Sequence, residues 1–179
     1  VSVRPPRRGP LAVRIELALA AFAPAFLLVG LRSGDAWWAW VFYALTAAGV
    51  LVLAVGGFLV ATGNTEQFEL TQIEDASEEV VGYIAAYVVP VLIDPAASLL
   101  NAVIAAAALF LGFVVHVATG RVHVNPLLYL IGYRVYTAKT ETASYALIAR
   151  SEVADWTGER PLVDVSASVL VEKWKWKRT

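Results

Sequence analysis

From Ala36 to Thr62 the chain runs about 27 residues without a charged side chain, long enough for one tilted crossing of a bilayer. A run that apolar all the way round asks for lipid or for complete burial. With 59% hydrophobic residues among 179 and a mean hydropathy of +0.64, the chain exceeds the apolar content of ordinary soluble domains. The bilayer is therefore the expected solvent.

Three more apolar runs share this character. Leu11 to Leu31 follows a basic, Pro-rich arm, VSVRPPRRGP, that is expected to be unstructured and cytoplasmic. A secretory signal competes there because Ala21-Phe22-Ala23 mimics a cleavage triplet, but Pro24 directly after it is a poor cleavage site and an uncleaved anchor is favoured. Arg14 and Glu16 lie two apart, on different helix faces. Arg14 is read as snorkelling toward headgroups and Glu16 as interfacial, with a neighbouring helix or polar cavity as the other reading of Glu16. The run from Ala36 opens with Trp37, Trp38, Trp40 and Tyr43, which suit the headgroup belt, and its Gly49, Gly56 and Gly57 would admit a second backbone at close range.

Gly63 to Ala76, GNTEQFELTQIEDA, is the first polar interior stretch. It reads as a solvated acidic loop, with a docking surface for a basic partner as the alternative. Asp75 followed by Glu78 resembles a helix start, so a third helix is expected over 76–93. Tyr83 and Tyr87 share a face of it and Pro90 kinks it. Its apolar part is only about 14 residues against the roughly 20 of a full crossing. Either it extends back through Glu78 and Glu79 to the interface, or it is a half-helix lining a polar cavity. Asp94 as N-cap and Pro95 at the first position place the fourth helix at Ala96 to Thr119. There Ala102 and Ala106 give a small-residue packing face, Asn101 an interhelical hydrogen-bonding group, and His116 an interfacial ring.

After Arg121 the pattern changes to alternation. Tyr133 to Lys139, Ser144 to Ser151 and Leu162 to Trp174 read as three strands. Three strands without a covering helix are marginal alone, so their apolar face must pack on the helices, on copies of the chain or on another protein. The end of the chain interleaves Lys173, Lys175, Lys177 and Arg178 with Trp174 and Trp176, which suits an anionic membrane surface better than stacking on nucleic acid.

The expected fold is an α-helical integral membrane protein with four transmembrane helices (11–31, 36–62, 76–93 and 96–119) between a basic arm (1–10) and a small cytoplasmic antiparallel β unit (121–179). Lys and Arg gather before the first span and after the last, which puts both termini in the cytoplasm; Arg32 opposes this weakly. Val stands first and methionine is absent, which predicts a start codon read literally and, with so much alanine, a bacterial source and its inner membrane.

Chemistry is harder to find. There is no cysteine, His116 and His123 are the only histidines, no glycine-rich phosphate loop follows a strand, and a net charge of -1 offers no field for nucleic acid. No enzyme activity, cofactor, metal site or directly bound nucleic acid is expected. Two readings remain: an oligomeric membrane scaffold or sensor that presents its β unit to a soluble partner, and a small channel or transporter using a broken third helix and Asn101.

The run YIAAYVVPVL at Tyr83 to Leu92, the four-span plan, and NPLLYLIGYRVY at Asn125 to Tyr136 ahead of a short β tail resemble the KwaA family, membrane subunits of the Kiwa antiphage defence system. The likeness covers the third span to the first tail strand, roughly a third of the chain. It implies an oligomeric inner-membrane component that senses phage-induced disturbance and holds a cytoplasmic effector protein, with no catalysis of its own. The positions it carries over are Tyr83, Tyr87 and Pro90 in the helices, and Asn125, Pro126, Gly132, Tyr133 and Tyr136 as a partner-docking surface.

Overall fold

The structure is a computed structural model that describes residues 10–75, 90, 92–119, 125–150, 153, 158–166 and 169–173. The body of the expected third span with Tyr83 and Tyr87, the arm at 1–9, His123, and the terminal run from Trp174 to Arg178 lie outside the described residues.

Helix α1, Pro10–Arg32, and helix α2, Ala39–Thr62, pack side by side as a hairpin. Gly49 sets their separation. A Cβ at that position would stand 2.6 Å from the Leu19 carbonyl oxygen and 2.9 Å from the Ala23 Cβ, so only hydrogen fits. At the turn between the helices the Ser33 hydroxyl donates to the Val29 carbonyl at 2.8 Å, and Gly34 takes φ +58. Trp37 and Trp40 stand exposed at this end, as a headgroup belt requires.

Helix α3, Leu99–Thr119, lies on the other flank of α1. Ala105 and Leu109 pack among Ala21, Phe22, Ala25, Phe26 and Val29, and Phe22 meets Phe113 edge to face at 5.8 Å. Each of the three helices is long and apolar enough to cross a membrane. The start of α3 differs from the expected Ala96. Asp94 Oδ1 does accept from the Ala96 amide at 3.2 Å, but that bond closes a turn; the cap is Ser98, whose hydroxyl accepts from the Asn101 amide at 3.1 Å.

The polar stretch after α2 is not a loop. Glu66–Leu70 and Gln72–Asp75 are strands β1 and β2, and they join Arg134–Lys139 (β3), Ser144–Ala149 (β4), Gly158–Ser166 (β5) and Val169–Glu172 (β6) in one six-stranded sheet. The sheet order is β1-β5-β6-β4-β3-β2, antiparallel except where β4 runs parallel to β6. Its two outermost strands are thus consecutive in the chain, with Thr71 alone between them. A sheet with that order must curl back on itself. Thr71 secures the bend, its amide and its hydroxyl both donating to the Lys139 carbonyl at 2.9 and 3.1 Å.

Alternation along the strands separates two cores. Leu70, Tyr136, Ala138, Leu147, Ala149, Leu162 and Leu170 fill the inside of the curl, with Phe68 and Ile73 against them. The single strand expected over Leu162 to Trp174 is two, β5 and β6, paired antiparallel from Leu162↔Glu172 with a register shift at Asp164/Ser166.

Candidate functional site: the junction of helices and sheet

The outward residues of three strands build the second core. Val135 on β3, Ile148 on β4, and Val169 and Val171 on β6 point away from the curl and pack against Val13 and Leu17 at the start of α1, with Leu53 and Val60 on the second half of α2. The apolar face of the sheet thus rests on the ends of the helices, one of the three coverings its pattern allows. A polar tie and a short helix flank this seat. Lys173 Nζ donates to the Gly63 carbonyl at 2.8 Å, holding the end of β6 to the end of α2. A short helix α4, Pro126–Leu130, caps the other side and buries Leu128 in the same core.

Several residues singled out by sequence are used up in this architecture. Asn125 is fully buried as the N-cap of α4, its Oδ1 accepting from the Leu127 amide at 3.0 Å, and Pro126 is the first helical residue. Tyr136 is buried inside the curl. The fold therefore gives Asn125 and Tyr136 internal roles, while Gly132 and Tyr133 reach the surface beside Tyr129, Arg134 and Arg150. Lys173 serves the junction rather than standing clear toward headgroups.

Within the helical layer, Ala102 is buried, and Ala106 is half-buried against the cluster that Ala105 shares with Phe22. Pro90 is buried and Glu16 half-buried. Asn101 is the third residue of α3, its side-chain amide donating back to the Asp94 carbonyl at 3.0 Å in the turn before the helix. His116 is not at the surface: the ring is fully buried and stacks edge to face on Phe22 at 5.8 Å. Among the described residues no three His, Asp or Glu side chains gather to hold a metal ion.

Sequence reasoning passed over the junction core itself. Val13, Leu53, Val60, Ile148 and Val171 each look like ordinary span or strand residues, and only the fold brings them together. Arg150 was legible as a basic residue ending a strand, with nothing to pair it with Arg134.

An apolar helical layer carrying a curled sheet on one end defines a membrane-associated class of protein, joined by a continuous hydrophobic contact. Over residues 13–169 the chain matches the family described as anti-phage protein KwaA. It belongs to that family, and antiphage defence is its role. The match runs from Val13, the first helical residue seated on the sheet, to Val169 in β6, so helices and sheet together are the family's unit. No curated protein and no solved structure matches the chain.

Proposed function

We propose that this KwaA-family protein is a non-catalytic, membrane-embedded scaffold or sensor that works as a homo-oligomer and presents its sheet to a cytoplasmic effector protein. The observation that carries the reading is the junction core: Val13 and Leu17 on one helix and Leu53 and Val60 on another share one packed cluster with three strands. A displacement of the helices by a disturbed bilayer cannot be absorbed without moving the sheet, because packed cores are bistable rather than soft.

Chain direction supports four crossings. β2 ends at the sheet, whereas α3 starts at the opposite end of the layer, where Ile93 packs with Trp38 and Phe42. That placement of the two ends supports the reading with a fourth crossing and with both termini on the sheet side. Arg14, Arg134, Lys139, Arg150 and Lys173 belong to that side and Arg32 to the other, which supports a cytoplasmic sheet. The outer face of α2, with Leu51, Val55 and Phe58 exposed, is available to lipid or to a second copy.

Because the chain has no cysteine, single engineered thiols test the orientation directly. Asp35→Cys, in the α1–α2 turn, is expected to react with an impermeant maleimide on intact spheroplasts, and Glu141→Cys, in the β3–β4 turn, only after lysis. The reverse pattern overturns the proposal. Ile148→Ser is expected to abolish phage protection while the protein stays in the membrane; full protection by that variant would remove the coupling from the mechanism.

A further inference from the structure

The bent strand that closes the curl is held differently in its two halves. In β2, Gln72 faces Lys139, Ile73 faces Ala138, Glu74 faces Thr137 and Asp75 faces Tyr136. Lys139 Nζ donates to Glu74 Oε1 at 3.0 Å and to Gln72 Oε1 at 3.3 Å, and the Lys139 carbonyl accepts both bonds from Thr71. The facing residues of β1 and β5 are poorly matched. Glu69 stands directly opposite Glu159, Gln67 opposite Pro161 and Leu70 opposite Gly158. Like charges facing each other across a strand pair repel, a proline has no amide to give to the ladder, and a glycine brings no side chain to the pair. Glu69 and Glu159 are both exposed, and neither carboxylate meets a cation among the described residues. β1 is held from its inner face, where Leu70 is buried and Phe68 meets Tyr145 edge to face at 6.0 Å.

The poorly matched half is also the half next to α2. Only Gly63, Asn64 and Thr65 separate the end of that helix from β1. At the seat itself the Gly63 carbonyl accepts from Lys173, and a Cβ on Gly63 would stand 3.0 Å from Val163 Cγ1 on β5. Movement of α2 off this seat therefore loads β1 at Glu66, its first paired residue, and breaks the ladder one pair at a time toward Leu70. β2, beyond the bend, is fastened to β3.

We propose that the pairing of β1 with β5 is a release line built into the sheet: displacement of α2 peels β1 from β5 as far as Thr71, while β2 stays bound to β3. The facing carboxylates of Glu69 and Glu159 set how readily it opens. Peeling bares the backbone amides and carbonyls of residues 158–162, an edge that the closed sheet does not offer. The inference rests on the coupling of helices to sheet proposed above. It adds which strand pair gives way.

Amide hydrogen exchange on the full chain in detergent, read together with phage protection in cells, tests the release line. The β1 amides bonded to β5 are expected to exchange roughly tenfold faster than the β2 amides bonded to β3. Glu159→Lys makes the facing pair attractive and should slow the β1 amides roughly fivefold while β2 is unchanged. Glu69→Lys with Glu159→Lys puts like charges back and should restore fast exchange. Protection is expected to follow, reduced in the single variant and recovered in the double. Equal exchange in the two halves of the strand overturns the proposal, as does exchange that Glu159→Lys leaves unchanged. Full protection by a Glu159→Lys protein whose β1 exchanges slowly also overturns it. A double variant that exchanges like the parent yet loses protection overturns it in favour of an acidic docking surface. Ile148→Ser is scored alongside: full protection there defeats the coupling reading itself, whereas lost protection there with equal exchange in β1 and β2 defeats only the release line.

Discussion

Helices α1 and α2 have similar composition and opposite surroundings. Their most apolar windows have mean hydropathies of 1.9 and 2.3, yet half of the α1 window is buried by the rest of the chain against 6% of the α2 window. The difference lies in where the small residues fall. In α1, Ala18, Ala20, Ala21, Ala23 and Ala25 surround Phe22 and Phe26, so α2 and α3 both come close and the phenyl rings fill the space between. Of the three glycines in α2, Gly49 alone meets another helix among the described residues. A Cβ at Gly56 or Gly57 would touch nothing within 4 Å among the described residues. Hydropathy thus reports the solvent, and small-residue spacing reports the neighbour. α1 is the internal pillar among the described residues, and α2 keeps an exposed face with Leu51, Val55 and Phe58.

The same substitution in the two helices breaks this comparison most sharply. Phe22→Ala is expected to cost on the order of 3 kcal/mol, because the cavity penalty survives in lipid even where transfer from water does not contribute. Phe58→Ala, at a ring that is 67% exposed, should leave thermal unfolding in detergent unchanged. Equal losses at both sites would mean that α2 has a partner within the single chain. Next in size is Gly49→Leu, which must push α1 and α2 apart and is expected to lower stability by about 1–3 kcal/mol. Gly57→Leu is expected to be neutral for the monomer. If it shifts the mass of the detergent-solubilised particle, the free face of α2 is a contact between copies.

The helices were legible because runs of fifteen to twenty-seven uncharged residues have few other destinations. The junction and the closing strand were not, for different reasons. Between Glu66 and Asp75 the inward residues Phe68, Leu70 and Ile73 carry the strand signal, but Thr71 bends the strand and shifts the alternation by one, so six acidic or amide side chains dominate the reading. The Phe68-Glu69-Leu70 triplet was the available clue. The three tail strands were visible from alternation, yet their number and order were not, since β1 and β2 come from a segment more than sixty residues earlier. The resemblance carried Asn125 and Tyr136 over as docking residues, but polar and aromatic side chains serve caps and cores as readily as partners, and here they do.

Lys173 ties the exposed helix to the sheet and gives a smaller effect. Lys173→Ala removes the bond to the Gly63 carbonyl and is expected to cost about 1 kcal/mol, read as a lowered melting temperature with faster hydrogen exchange in β6. The equivalent truncation at Lys139, which among the described residues meets Glu74 and Gln72 at the surface, should do less.

The smallest effect is expected at Glu74, and it separates two accounts of why the acidic strand belongs in the sheet. Glu74 and Lys139 are 3.0 Å apart, but both side chains are about half exposed, so water already screens the pair and Glu74→Gln should change stability by less than about 0.5 kcal/mol. What holds β2 is the burial of Ile73 and the two bonds from Thr71 to the Lys139 carbonyl, neither of which depends on charge. Urea titrations of the Glu74→Gln protein in low and high salt decide the matter. A loss above about 1 kcal/mol that vanishes with salt would make the ion pair, rather than the bend at Thr71, the element that closes the curl.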